Sequence, residues 1–235
     1  MNISLIGCAA AVLLTACARG PQAPAPVAGP LDPSRLVART DSFTILIGGQ
    51  PRGGMRGELA RDGDGWRYTE TSSLPPMMQQ ETVVRFGATG EMRSLQQSGS
   101  MGGRPMRIQL RYTDGRVVGE ALTPSAPKPV LSDTTVPKDA IDDNALQAVV
   151  SAMRFDRFET IRVSVYSSGR ASLSPAVYTR QGVDTVEFGG QQVAAWRVLE
   201  ETQGQRSVLH VATTAPYLLL GRTVQGSPFA LRRER

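Results

Sequence analysis

The residues that could carry out nucleophilic or acid–base chemistry are few in this chain of 235 residues. It contains one histidine, His210, and two cysteines, Cys8 and Cys17. A Ser-His-Asp or Cys-His site would need His210 as its base. No Gly-x-Ser-x-Gly sequence accompanies this histidine, and its alternation with Arg206 and Val208 is typical of an ordinary strand residue. The sequence therefore predicts a protein that is not an enzyme.

Acidic pairs and glycine-rich segments add no clear catalytic signal. Capping at a helix start and solvation explain the pairs Asp142-Asp143 and Glu200-Glu201. A two-carboxylate hydrolase stays open as a third interpretation, because carboxylates distant in sequence can meet in a fold. Residues 99–103 lack the Lys-Ser/Thr ending of a phosphate-binding loop. The few cysteines and histidines exclude multi-cysteine zinc sites and iron–sulfur clusters, so no metal or cofactor is expected.

The charge of the chain does not indicate a nucleic-acid-binding protein. The net charge is +5 and the pI is about 9.7, but only Lys128 and Lys138 are lysines, and the arginines are scattered. The one dense basic run is residues 232–235. Because the sequence shows no basic stripe and no recognisable module, we expect no nucleic acid among the partners.

An apolar segment near the start of the chain ends at a cysteine. Residues 3–14 are apolar or small apart from Ser4, which suits a signal-peptide core and is too short for a membrane-spanning helix. The tetrad Leu-Thr-Ala-Cys that ends at Cys17 resembles the lipobox of bacterial lipoproteins, although the usual positive residues before the apolar core are missing. The resemblance implies that residues 1–16 are a signal peptide and that Cys17 carries the lipid.

Two other interpretations of this segment stay open: a plain secretory signal with an unmodified cysteine, and a buried N-terminal helix. If Cys17 is acylated, Cys8 is removed and the mature chain cannot form a disulfide. In the lipoprotein family, an Asp after the modified Cys retains the protein at the inner membrane. That position is Ala18 here, so the resemblance implies an outer-membrane lipoprotein facing the periplasm. Residues 17–38 then form a tether, since five prolines in residues 18–33 preclude regular structure.

The rest of the chain, residues 39–235, is predicted to be one mainly β domain. Apolar and polar residues alternate in short segments such as residues 106–112, which is typical of half-buried strands. Turn sequences such as Asp114-Gly115 recur roughly every ten residues. This pattern predicts an antiparallel meander of about ten to twelve strands, enough for a strongly curved sheet or half-barrel.

One amphipathic helix is predicted to interrupt the strands at about residues 139–153. Asp139 follows a proline and suits the N-cap position. Ala145, Ala148 and Val149 have the spacing of a single apolar helix face. Because strands flank this segment on both sides in sequence, we expect the helix to pack across the sheet.

This combination of elements resembles the periplasmic half-barrel proteins of the lipoprotein-carrier and outer-membrane-receptor type, and β-rich relatives of largely unknown function. The resemblance covers most of residues 39–223 as architecture, without a diagnostic motif. It implies a non-catalytic, membrane-anchored envelope protein whose curved sheet cups an acyl chain, a lipid or a lipoprotein, with the helix as a lid. The alternative is a structural or assembly lipoprotein that docks other envelope proteins.

The segment from Leu74 to Met78 contains two prolines between large apolar residues. Consecutive prolines break strand pairing and place the segment in a loop or at a strand edge. Flexible apolar side chains on a loop tip are suited to contact with a membrane or a ligand, so Leu74, Met77 and Met78 are candidate contact residues. The alternative is that these side chains fold back over an open end of the core.

Overall fold

The computed structural model describes residues 29–126 and 128–234, and its framework is one sheet of fifteen strands. The strands are β1 Arg39–Ile47, β2 Gln50–Asp62, β3 Gly65–Leu74, β4 Met78–Phe86, β5 Met92–Met101, β6 Arg104–Thr113, β7 Arg116–Leu122, β8 Val130–Thr135, β9 Ile141–Asp142, β10 Thr160–Ser167, β11 Ser172–Phe188, β12 Gln191–Thr202, β13 Gln205–Ala212, β14 Leu219–Val224 and β15 Phe229–Arg233. The mainly β fold predicted from the sequence is therefore confirmed. The strand number exceeds the expected ten to twelve, because polar strands such as β8 and basic strands such as β15 lack a clear alternation.

Strands that are neighbours in the sheet are consecutive in the chain, with one exception at the centre of the sheet. The order is β8 to β1, then β15 down to β9, so β1 pairs with β15 in the middle of the sheet. A buried ion pair between Asp41 and Arg233 accompanies this central pairing. All neighbours are antiparallel except β9 and β10. β8 and β9 are the two edges, and the sheet does not close into a barrel.

Glycines allow the sheet to curve strongly. Gly99 and Gly119 both have φ of 153°, and a Cβ atom at Gly99 would lie 2.1 Å from the carbonyl oxygen of Gln79 on the neighbouring strand. Such a close approach of two backbones excludes any side chain at that position. The bends they permit turn the meander into the half-barrel that the pattern predicted.

A helical segment lies inside the curved sheet. It consists of a 3₁₀ turn (Asp143–Ala145), a single α-helical turn named α1 (Leu146–Val149) and a second 3₁₀ turn (Val150–Ala152). One side of the segment packs with a core formed mainly by β2–β7, and the other side packs with a core formed mainly by β1 and β10–β15. The segment therefore separates two apolar cores and fills the space between them. Within the described ranges, no helix has the length and apolar character needed to cross a bilayer.

The start of this helical segment differs from the prediction. Residues 141–142 form the short strand β9, and the N-cap is Asp142, whose side chain accepts a hydrogen bond of 2.9 Å from the Asn144 amide. The prediction of Asp139 as N-cap was wrong. Ile141 fits a helical spacing and a strand equally well, and its pairing with Val165 on β10 decides in favour of the strand.

The two edges of the sheet lie against each other without sharing backbone hydrogen bonds. Val165 on β10 belongs to one core and the next residue, Tyr166, belongs to the other, so this strand is buried on both faces. The Tyr166 hydroxyl donates a 2.9 Å hydrogen bond to Ser132 on β8. Its ring also meets that of Tyr112 edge-on, with centroids 6.1 Å apart. The sheet is thus rolled, with the β9–β10 edge covered by β6 and β8.

Candidate functional site

A cavity of about 1080 Å³ opens at one end of the half-barrel, and we call it the mouth. Consecutive antiparallel strands alternate in direction, so the turns β5–β6, β7–β8, β10–β11, β12–β13 and β14–β15 all gather at this end. The helical segment supplies Asp143, Asn144 and Leu146 to the wall of the mouth. The mouth therefore lies where the interior of the rolled sheet is accessible to solvent.

One side of the mouth is rimmed by methionines. Met101 and Met106 line the cavity, and Met78 on β4 is directly opposite Met101 on β5. The amide of Gly102 donates a 2.7 Å hydrogen bond to the carbonyl of Met77, which holds the β3–β4 and β5–β6 turns together. Met77 is 62% exposed and Met101 is 42% exposed. Met101 at the cavity and Met77 on the adjoining β3–β4 turn are here together called the methionine lip.

The three apolar residues singled out from the sequence do not share one environment. Leu74 is buried in the core formed by β1 and β10–β15, and Met78 packs against the same core. Only Met77 projects into solvent. The expectation of an apolar tip made by all three was wrong for Leu74, since this residue ends β3 on the inward face of the sheet. The sequence did not single out Met101, because its place beside Met77 depends on the pairing of β4 with β5.

The opposite side of the mouth carries three arginines. Arg222 forms a 2.7 Å ion pair with Glu200, and Arg206 forms a 2.8 Å ion pair with Glu201. Arg170 donates a 2.7 Å hydrogen bond to the side-chain oxygen of Gln203. Two of the three positive charges are therefore balanced within the protein. The expectation that solvation explains Glu200 was wrong, because this residue is buried and also accepts a hydrogen bond from the Tyr178 hydroxyl.

Below the mouth, two adjacent aspartates enter a buried polar network. Asp142 accepts hydrogen bonds from the Tyr112 hydroxyl at 2.5 Å and from Asn144. Ser167 and Ser168 donate to Asp143 at 2.9 and 3.1 Å.

Burial, and next the neighbouring charge of Asp143, raise the pKa of Asp142 to about 8. Capping was correctly inferred for this pair, but Asp142 is fully buried and the prediction of solvation was wrong for it.

The single histidine lies away from the mouth, on β13. The Nε2 atom of His210 is 3.0 Å from a carboxylate oxygen of Asp184, and Arg197 lies 3.7 Å from the other oxygen. The imidazole and the carboxylate are both partly exposed. Among the residues that the structure describes, no three His, Cys, Asp or Glu side chains are grouped to hold a metal ion.

The end of the half-barrel opposite the mouth is closed. Arg35 stacks over the Tyr217 ring at 4.4 Å, and Tyr217 stacks on Trp196, which also meets Phe155. Leu31 forms a β-bridge with Met153 after the helical segment. The chain therefore enters the domain at the closed end. Of the tether predicted at residues 17–38, Cys17 and the residues up to 28 lie outside the described residues. Its last part is docked on the domain, since Leu31 pairs with Met153 and Leu36 is buried.

One solved structure is similar to this chain over most of the length of both. It is a β-barrel-like protein of domain of unknown function DUF1849 from Brucella abortus. The two share a β-barrel-like fold. The TM-score is 0.56 at 12% sequence identity, over 85% of this chain and 96% of that chain. No protein-family model and no curated protein matches the sequence.

Proposed function

We propose that this protein is a lipid-anchored protein of the bacterial envelope that binds the apolar part of a ligand at the mouth. The ligand class is an acyl chain, a lipid or a lipoprotein. The observation that carries the proposal is the methionine lip, in which Met101 lines a cavity of about 1080 Å³ and Met77 is exposed on the adjoining β3–β4 turn. Exposed methionines are flexible and polarizable, which suits contact with apolar chains of variable shape.

The packing inside the curved sheet limits where a ligand can bind. The space between α1 and the strands is filled by the two apolar cores, and the void beside Leu146, Val150 and Leu209 is only about 20 Å³. An acyl chain has no room there. In this proposal the ligand therefore binds at the mouth and contacts the methionine lip. The helical segment is an internal wall of the mouth, whereas the resemblance implied that it would be a lid.

The proposed anchor is Cys17, on the basis of the tetrad that precedes it. A tether rich in proline is extended, at about 3.1 Å per residue. Because the chain enters at the closed end, acylation of Cys17 would direct the mouth away from the membrane that holds the anchor. With Ala18 after the modified residue, we assign this anchor to the outer membrane and the domain to the periplasm.

The test of the ligand proposal is a double variant of the methionine lip, Met77→Ser with Met101→Ser. We expect lipid to co-purify with wild type in native mass spectrometry, and the affinity for a fluorescent fatty acid to fall at least about tenfold in the variant. The matched control is Val183→Ser, since Val183 is 61% exposed on β11 and does not line the mouth. Equal binding by all three proteins would refute the proposal.

The anchor has its own test, which is independent of the ligand. Cells that express wild type should incorporate labelled palmitate into the protein, and a Cys17→Ser variant should not. Wild-type protein that takes up no label and remains soluble after fractionation would remove the lipid anchor from the proposal.

A second candidate function is the docking of envelope proteins through the sheet edge. β8 is an edge strand, with Leu131 76% exposed and Val130 39% exposed. The free backbone edge of such a strand can accept a strand from another polypeptide. Leu131→Glu would abolish such an association while leaving fatty-acid binding at the mouth intact. Cross-linking in cells distinguishes the two functions.

A further inference from the structure

A second cavity, of about 540 Å³, lies on the outer face of β1–β5, and we call it the outer groove. The inward residues of these strands form the cores, while Arg56, Thr71, Glu81 and Ser98 are exposed on the other face. All four line the groove. The outer groove is therefore separate from the mouth, and the inference below does not depend on the proposed function.

Polar side chains cross the outer groove in a row. Arg56 on β2 is opposite Thr71 on β3, Thr71 is opposite Glu81 on β4, and Glu81 is opposite Ser98 on β5. Neighbouring strands are about 4.8 Å apart, so this row presents one polar group at each such step. A parallel row contains Gly54, Ser73, Gln79 and Ser100.

The polar groups in these rows are available to a ligand. Side-chain hydrogen bonds and ion pairs to other described residues are absent for Arg56, Thr71, Glu81, Ser98 and Gln79, and each of these residues lies on a strand that is paired on both sides. Some other outward charges on these strands are paired within the protein, as in the 2.9 Å ion pair of Arg85 with Asp62. The groove thus combines fixed backbone positions with free donors and acceptors.

A glycine gives the groove its depth. Gly54 lies in the second row, and a Cβ atom there would meet only the Phe43 carbonyl oxygen at 3.7 Å, an ordinary contact. The backbone at Gly54 is not in the left-handed region. The fold therefore tolerates a side chain at this position, whereas the groove would lose the space that such a side chain fills.

We propose that the outer groove binds an extended glycan chain rich in hydroxyl and acetamido groups. The groove runs across the strands. The distance between neighbouring strands is comparable to the length of one sugar in an extended chain. Hydroxyl, amide, carboxylate and guanidinium groups provide the donors and acceptors that sugars require. A peptide strand cannot pair here, because β2–β5 already have neighbours on both sides.

Hydrogen bonds dominate the binding of such a chain. Phe43 lines the groove but is only 2% exposed, so ring stacking contributes little. Single hydrogen bonds with neutral partners contribute modestly in water, and affinity must accumulate along the row. The proposal therefore requires that binding strengthen with the number of sugars.

The test measures binding of chitohexaose and chitobiose, β-linked chains of six and two N-acetylglucosamine units, by calorimetry and by amide chemical shifts. We expect the hexamer to bind at least about tenfold more tightly than the dimer. Gly54→Thr should weaken hexamer binding about tenfold or more with an unchanged melting temperature. The matched control is Glu58→Ala, on the same strand and exposed but outside the groove.

Two results would overturn the inference: no shift of groove amides with the hexamer, or equal hexamer affinity in Gly54→Thr and wild type. If Gly54→Thr unfolds, the double variant Thr71→Ala with Ser98→Ala takes its place, since both side chains are exposed and unpaired. Binding of an extended peptide in the same groove, without glycan binding, would also contradict the inference. Fatty-acid binding at the mouth should be unchanged in every one of these variants.

Discussion

The closed end and the mouth of the half-barrel are built from different kinds of residue. At the closed end, Trp196 and Tyr217 stack beneath Arg35, and the completely buried ring of Phe155 meets Trp196 at a tilt. At the mouth, Met101 is exposed beside charged residues, and Met77 is exposed on the adjoining turn. Side-chain packing is therefore concentrated at the closed end, and we expect substitutions there to cost more stability than substitutions at the mouth.

The largest effect is expected at the closed end, for Phe155→Ala. Removal of a fully buried aromatic ring leaves a cavity and lowers the free energy of unfolding by about 3–5 kcal/mol. Urea denaturation followed by fluorescence measures this change. A loss below about 1 kcal/mol would show that the closed end is not where stability is concentrated.

The next effect concerns Asp142, in the buried network below the mouth, and depends on pH. The pKa of Asp142 is raised from 3.8 to about 8, chiefly by burial. Between these values the folded protein keeps a proton that the unfolded chain has lost, so the free energy of unfolding falls as the pH rises from 3.8 towards 8. Asp142→Asn removes this titration and should flatten the dependence.

Urea midpoints of wild type and Asp142→Asn at about pH 5 and about pH 8 test the titration. The variant should gain stability relative to wild type at the higher pH. An Asn side chain has one acceptor oxygen, so the variant also loses the hydrogen bonds at one of the two oxygens that accept from Tyr112 and Asn144. That loss is the same at both pH values, so the change in the difference between the two proteins isolates the charge. If both proteins lose the same stability on going to the higher pH, Asp142 is not the group responsible.

A smaller loss is expected for Arg35→Ala at the closed end. The change removes the stacking of Arg35 over Tyr217 and its 2.9 Å ion pair with Asp156. Together these contacts are expected to contribute about 1–2 kcal/mol to the free energy of unfolding. Arg35→Lys retains a positive charge and should lose less. An equal loss in both variants would mean that the planar guanidinium, and not its charge, is what matters.

The smallest effect on stability is expected at the mouth, for Met77→Ser. Because Met77 is 62% exposed, the free energy of unfolding should change by less than about 0.5 kcal/mol. Fatty-acid affinity should fall in the same variant. A destabilisation comparable to that of Phe155→Ala would show that both ends of the half-barrel are structural.

Much of the fold follows from local sequence patterns, since alternation predicted strands such as β6 and a curved antiparallel sheet. Tyr166 shows where such patterns fail. It occupies a polar position in the alternation of Ile161, Val163 and Val165, yet it is buried. Tyr166 is buried because β6 and β8 pack over β10. The sequence around Tyr166 gives no sign of that contact.

The candidate sites were less predictable than the fold for the same reason. The proline and methionine segment correctly drew attention to Met77, but Met101 joins it only through the register of β4 with β5. The outer groove depends on three successive registers, from Arg56 to Ser98. If one of these strand pairs slipped by one residue, the groove side chains of the shifted strand would move to the core face of the sheet.

The central pairing of β1 with β15 has a consequence for biosynthesis. The ion pair between Asp41 and Arg233 joins residues 192 positions apart. Strands β2–β8 can pair with their neighbours before the rest of the chain has emerged, but β1 lacks its second neighbour until β15 is present. Until that moment the nascent chain exposes an open strand edge on each half, which is the condition in which β-rich chains aggregate most readily.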